Sequence, residues 1–471
     1  MVVLVTVIIY FAILLLLSRL VGNRGGNAAF FSGNHQSPWA LVAFGMVGAS
    51  ISGITFIGVP GWVMTTHMTY LQMCLGFVVG YLVVSFVLLP LYYRLRLTSI
   101  YTYLQHRFGT VSYKTGASFF ILSKFLSAAA KFYVVCRILQ ACLADSFQVP
   151  YVVVVLVALG MIWLYTRRGG IRTLVWTDFL QTACLLLALL LILVKVATML
   201  NMDFLQAMST VWNDPHAQIF EFDDLASKQN FWKQFLSGIF IVIVMTGLDQ
   251  DMMQKNLTCK DLRSAQKDMC SYGVLFLPVN FLFLALGILL LLLYQQMGVA
   301  LPVRGDDLLA GIVLDGSLGT ACLVLFTIGV IASTFSSADS ALTALTTSAC
   351  VDILGKEQDE QVRKRTHLVF ALLFVGITLA FNAIGSGSVM DLIYTLVSYT
   401  YGPLLGLFSF GILTRRHPRE ACVPWIAIAS PVICYVIDVL VRHSTGYQFG
   451  YEMLMFNGML TFLGLMIVSR K

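Results

Sequence analysis

Charge is what this sequence has least of. Asp, Glu, Lys and Arg make up 11% of its 471 residues, against about 25% in an average soluble domain. So few ionised groups cannot cover a water-facing surface, so the outer surface must meet lipid. Paired cysteines are lacking too. Ten cysteines are scattered through apolar segments, among them Cys74, Cys136, Cys184, Cys322 and Cys350, and none forms a Cys-x-x-Cys pair. That removes a zinc ribbon and a dithiol motif and leaves small apolar side chains in helices. No His-Glu-x-x-His, nucleophile elbow or phosphate loop occurs, and the seven histidines are dispersed, so an enzyme is not expected. There is also no basic low-complexity tail. The formal charge of +7 comes from Lys and Arg in short clusters between apolar runs, a pattern of membrane topology rather than of a nucleic-acid partner.

What the sequence has in abundance is apolar length: 58% of residues are hydrophobic. A helix needs about 20 apolar residues to cross a bilayer. That ruler predicts spans at 2–20, 38–63, 69–91, 113–143, 149–166, 173–199, 231–254, 270–296, 318–353, 366–384, 388–413, 420–441 and 449–468. The first lacks a basic n-region and a small-residue cleavage site, so it reads as a span rather than a signal peptide. With the N-terminus outside and the C-terminus cytoplasmic, every inner loop is basic (Arg94, Arg96, Arg167, Lys255, Lys260, Arg363, Arg415 and others), while the longest outer loop carries Asp203, Asp214, Glu221, Asp223 and Asp224. This obeys the positive-inside rule and predicts an integral plasma (inner) membrane protein.

Two spans are interrupted. The second reads Gly45 to Thr55 with Gly48, Gly53, Ser50, Ser52 and Thr55 at mid-membrane. Such a segment either packs closely through small residues or unwinds to line a polar cavity. The seventh carries Gly247-Leu248-Asp249-Gln250-Asp251 near its inner end. Interrupted helices in matching positions of two five-helix halves point to inverted repeats.

The ninth span concentrates six hydroxyls and a carboxylate between Ser333 and Thr343. Ser336, Ser340 and Thr343 share one helical face beside Asp339. Neutral hydroxyls with backbone carbonyls suit a hard cation such as Na⁺; bonding of each hydroxyl to the preceding turn is the other reading. Asp178, near the inner end of the sixth span, is a carboxylate in a place where carboxylates are usually functional, holding either an ion or a proton. Lys124 and Lys131 lie seven apart on the fourth span, about 16 and 27 Å along a helix starting near residue 113. An anionic solute would be one partner; Asp249, Asp251, Asp339 or the membrane edge are the others.

Several stretches resemble the sodium/solute symporter family: Gly48-Ala49-Ser50-Ile51-Ser52-Gly53, Phe56-Ile57-Gly58, Leu97-Thr98-Ser99-Ile100-Tyr101 with Arg107-Phe108-Gly109, Gly169-Gly170 with Trp176-Thr177-Asp178, Ser336-Ser337-Ala338-Asp339-Ser340, and Gly402-Pro403-Leu404-Leu405-Gly406. The resemblance implies an all-α membrane fold of the leucine-transporter type. It divides the chain into an N-terminal extra helix and cytoplasmic linker (1–37), a first five-helix repeat (38–199), an extracellular loop (200–230), a second repeat (231–413) and two C-terminal helices (414–471). It also implies a Na⁺ held by the carbonyls of Gly48, Ile51 and Ser333 and the hydroxyls of Ser336 and Ser337. A sialic-acid-importing member has a second Na⁺, whose matching positions here are Asp178, Ser336, Asp339 and Ser340, with Asp339 replacing an expected serine. The family's solute pocket maps to Ser50, Ser52, Thr55, Tyr70, Cys74, Asp249 and Thr395, with Lys124 and Lys131 added by this chain. The expected activity is Na⁺-coupled import of a small organic solute (a sugar, sugar acid or carboxylate) by alternating access, with no obligatory protein partner. Proton coupling, or a solute sensor on the same scaffold, are the alternatives; a sensor would be expected to add a signalling domain, and none is seen after the last span.

Overall fold

Backbone amides in hydrocarbon have no water to bond, so the apolar intervals close their hydrogen bonds internally as helices. A computed structural model describes residues 2–22, 26–141, 148–225, 227–384, 397–447 and 449–470. Helix α1 (Val2–Gly22) is followed by the short α2 (Asn27–Ser32) and by α3 (Trp39–Ser50) and α4 (Gly53–Thr66). Next come α5 (Tyr70–Val83), which runs through a π-helical turn into α6 (Leu89–Leu95), the short α7 (Thr102–Arg107), α8 (Thr110–Leu139), α9 (Tyr151–Gly169) and α10 (Ile171–Met199). A connection bearing α11 (Phe204–Asn213) leads to α12 (Phe231–Val242) and α13 (Gln250–Asn256). The rest is α14 (Leu262–Met297), α15 (Asp307–Leu314), α16 (Gly319–Ser348), α17 (Glu360–Ile384), α18 (Gly402–Leu413), α19 (Val423–Thr445) and α20 (Glu452–Val468).

Among the described residues, eight helices are long and apolar enough to cross a membrane, two further pairs are bent at a break, and three shorter helices are apolar. Each predicted interval contains one of these, although residues 388–396 of the eleventh lie outside the described residues. Two helices begin more than a turn earlier than hydropathy predicts. The α14 helix starts at Leu262 rather than 270 because Asp261 caps it, its side chain accepting from Ser264 N at 2.8 Å. The α17 helix starts at Glu360 rather than 366, its polar first turn held by ion pairs from Glu360 to Arg363 and Lys364. Hydropathy stops at polar turns; helices do not.

Both interrupted spans are broken. The α3–α4 pair bends by 64° and the α12–α13 pair by 70°. At the first break Ile51 (φ −84, ψ 92) and Ser52 (φ −75, ψ 166) are extended. At the second, a π-helical turn (Ile243–Gly247) is followed by Leu248 and by an extended Asp249 (φ −107, ψ 118). Helix α10 packs against α3, α14, α16 and α1, and α8 against α16 and α4, so both breaks are enclosed by helices. Close approach of α3 to α10 depends on Gly48, where an added Cβ would lie 2.0 Å from Thr182 Oγ1. Apolar side chains such as Ile8, Leu16, Leu187, Leu372, Trp425 and Val432 cover the outside, the surface a bilayer accepts.

Candidate ion and solute site

The first break frees carbonyls at the C-terminal end of α3, where the helix dipole is negative. Helix α16 lies beside it. Ser337 Oγ donates to Ala49 O at 3.1 Å and to Ser333 O at 3.2 Å. One residue earlier, Ser336 Oγ donates to Asp178 Oδ1 of α10 at 2.6 Å. The structure therefore brings Gly48 and Ile51, at the end of α3, against Ser333, Ser336 and Ser337. An all-oxygen set of carbonyls and hydroxyls, with a carboxylate one bond behind, fits Na⁺.

The four residues matching a second cation position are also adjacent. Asp178 bonds Ser336, while Asp339 accepts from Tyr165 Oη at 2.6 Å and Ser340 Oγ at 3.2 Å. The remaining oxygen of Asp178 faces a side chain placed elsewhere by the sequence reading. Lys255 Nζ lies 2.8 Å from Asp178 Oδ2, and both side chains are almost fully buried. The positive-inside pattern puts Lys255 in a cytoplasmic loop; in the structure it sits on α13, because the 70° bend turns that short helix into the protein. The spacing of Asp251 and Lys255, four residues apart, was a helix signal in the sequence. Arg363, also assigned to an inner loop, is buried with its guanidinium over the Phe30 ring at 4.5 Å.

At the second break the freed carbonyls are met by tyrosines: Tyr92 Oη donates to Gly247 O and Tyr101 Oη to Leu248 O, each at 2.8 Å. Asp249 caps α13, its Oδ1 accepting from Asp251 N at 2.9 Å. Its Oδ2 accepts from Tyr401 Oη at 2.8 Å and pairs with Lys124 Nζ at 3.1 Å, which also lies 2.7 Å from Asp251 Oδ2. Of the partners open to Lys124 in the sequence, the structure supplies two protein carboxylates.

Lys131 is different. It has no ion pair or hydrogen bond among the described residues, yet it lies within electrostatic reach of Lys124, Asp249 and Asp251. Val135, one turn further along α8, packs against Gly53 at the first break. Lys131 thus occupies the stretch of α8 between the two breaks.

Of the other solute candidates, Ser50 hydrogen-bonds Tyr272 Oη, which also accepts from Tyr81 Oη at 2.7 Å. Ser52 and Thr55 pair at 3.3 Å, and Cys74 is buried on α5. Tyr70 meets Trp62 edge-on, with ring centroids 4.7 Å apart, and both line a cavity of about 620 Å³ with Lys233, Arg304, Arg442 and Glu452. Thr395 lies outside the described residues. Tyr165, Tyr272 and Tyr401, which the sequence reading missed, carried no signal beyond being tyrosines in apolar runs.

The model of the Sodium:solute symporter family matches residues 30–421. The chain is 25% identical over 428 residues to the Homo sapiens sodium/iodide cotransporter, covering 85% of this chain and 65% of that protein's length, just under two thirds. It is 24% identical over 439 residues to the sodium/sialic acid symporter SiaT of Proteus mirabilis (strain HI4320), covering 89% of this chain and 86% of that one. A solved structure of a Na⁺-coupled sialic acid symporter in a substrate-bound outward-open state is similar with a TM-score of 0.84 at 19% identity, covering 99% of this chain and 97% of that chain.

Proposed function

This chain belongs to the sodium:solute symporter family, and on that premise we propose that it couples Na⁺ entry to the import of a small organic anion, such as a sugar acid or a carboxylate. It is a transporter rather than an enzyme, and Na⁺ is its coupling ion. The observation that carries the anion is Lys131, an ammonium between two helix breaks with no partner among the described residues. A half-buried cation at membrane depth is costly unless it pairs or meets water, and a solute carboxylate supplies the pair. Two of the relatives are named for iodide, an anion, and for sialic acid, a carboxylic acid.

Na⁺ binds at Gly48 O, Ile51 O, Ser333 O, Ser336 Oγ and Ser337 Oγ, and the solute lies beside Lys131, with Ser50, Ser52, Thr55, Tyr70 and Cys74 as surrounding positions. Lys124 and Asp249 hold the second break in shape rather than touching solute. The two five-helix repeats run over 38–199 and 231–413, the N-terminus is outside and the C-terminus cytoplasmic. The cavity at Trp62 and Tyr70 is then the outer vestibule. Na⁺ on the end of α3 favours the state open to that vestibule, and the solute follows.

Lys131→Gln tests the anion reading against a panel of sugar acids and monocarboxylates and their neutral amides. Losing one partner of a desolvated charge pair costs roughly 2–5 kcal/mol, so affinity for the bound acid falls tenfold or more while its amide is little affected. Equal weakening of both would show that the ammonium does not read the solute's charge.

A further inference from the structure

The geometry points to Lys255 as a tethered cation that occupies Asp178 in place of a second Na⁺, so that a single Na⁺ binds to this chain. The inference rests on the symport reading and specifies its ion stoichiometry.

Both oxygens of the Asp178 carboxylate are engaged, Oδ1 by Ser336 Oγ at 2.6 Å and Oδ2 by Lys255 Nζ at 2.8 Å. The side chains are 1% and 2% exposed, so no bulk water separates or screens the pair. A Na⁺ placed on this carboxylate would stand beside an ammonium of the same sign, a repulsion that the buried setting strengthens. The ammonium also lies within electrostatic reach of Asp251 and Asp339, so it is the shared cation of a carboxylate cluster rather than the partner of one residue. The oxygen atoms that match a second Na⁺ position are present, but the position already has its positive charge.

The charge balance agrees. The two clusters together hold Asp178, Asp249, Asp251 and Asp339 against Lys124, Lys131 and Lys255. With every group ionised, one negative charge is in excess. Before solute binds, a single Na⁺ at the end of α3 balances these two clusters. A tethered ammonium differs from Na⁺ in one functional respect: it cannot leave with the solute. The Asp178 site of this chain therefore ties α13 to α10 permanently and draws nothing from the ion gradient.

The test uses Na⁺ itself. Equilibrium binding of radioactive Na⁺ to the purified full-length protein reads ions per chain without knowledge of the solute. The unmodified chain is expected to bind a single Na⁺. Lys255→Gln frees a buried carboxylate bonded to Ser336, and is expected to bind a second Na⁺. Asp178→Asn added to Lys255→Gln removes both charges and returns the count to a single ion. Two Na⁺ on the unmodified chain, or no gain in a folded Lys255→Gln protein, would overturn the inference. If Lys255→Gln does not fold, the count on the unmodified chain decides alone. No Na⁺ binding by the unmodified chain would overturn the symport reading and this inference together, whereas two Na⁺ would leave that reading standing.

Discussion

Lys124 and Lys131 are separated by two turns of one helix and carry the same charge, but their surroundings assign them different work. Lys124 spans Asp249 and Asp251; substituting Met removes the ion-pair partner of both buried carboxylates. Breaking a buried pair in this way costs about 3–5 kcal/mol, so the thermal midpoint of Lys124→Met in the absence of solute is expected to fall clearly, while Lys131→Gln melts with the unmodified protein. A similar midpoint for the two variants would contradict the division of labour. Ser336 acts at the ion instead. Its hydroxyl bonds Asp178 and is a proposed Na⁺ ligand, so Ser336→Ala is expected to weaken Na⁺ binding more than solute binding measured at saturating Na⁺. Linkage then raises the apparent solute constant only when Na⁺ is limiting, and an unchanged Na⁺ dependence would make Ser336 a packing residue. At this scale the hydroxyls are easy to single out in the sequence, because polar side chains in an apolar run stand out. The sequence is a poor guide to Lys255, because a lysine in a polar stretch looks the same whether the stretch is a loop or a helix folded inward.

The broken helices were legible for a related reason. Gly48, Gly53 and the hydroxyls between them interrupt an apolar run, and Asp249 is a cap residue within one. Their consequence was not legible. The bends of 64° and 70° are set by what packs against the freed ends: α16 and Thr182 at the first, Tyr92 and Tyr101 at the second. Periodicity reports a helix's own faces and is silent about its neighbours. Gly48 makes the dependence testable. An added Cβ would meet Thr182 Oγ1 at 2.0 Å and Thr182 Cβ at 2.8 Å, so Gly48→Ala must push α3 from α10. Overpacking of this kind costs typically about 1–3 kcal/mol, and because the end of α3 carries proposed ligands, Na⁺ affinity should fall along with the thermal midpoint. A variant that melts earlier but binds Na⁺ as before would place the ion away from that helix end.

For the whole molecule, composition and hydropathy sufficed for the class: few charges, many apolar spans, breaks in two of them. The family match over residues 30–421 and the structural likeness across 99% of the chain agree with that reading. What no scan of spans could supply is how buried charges are distributed among helices far apart in sequence, such as Asp178 and Lys255, or Lys124 and Asp249. Those pairings are the difference between a scaffold and a transporter with a defined ion. Asp339, bonded to Tyr165 and Ser340 without an ion-pair partner among the described residues, is the buried carboxylate on which a proton-coupled mechanism would have to rest. The deciding measurement is uptake of a bound acid into proteoliposomes of the purified protein under an inward Na⁺ gradient, an inward proton gradient in choline buffer, and neither. Accumulation driven by Na⁺ and abolished by choline at every pH is the predicted result. Accumulation equal in Na⁺ and choline, and driven by the proton gradient, would contradict it.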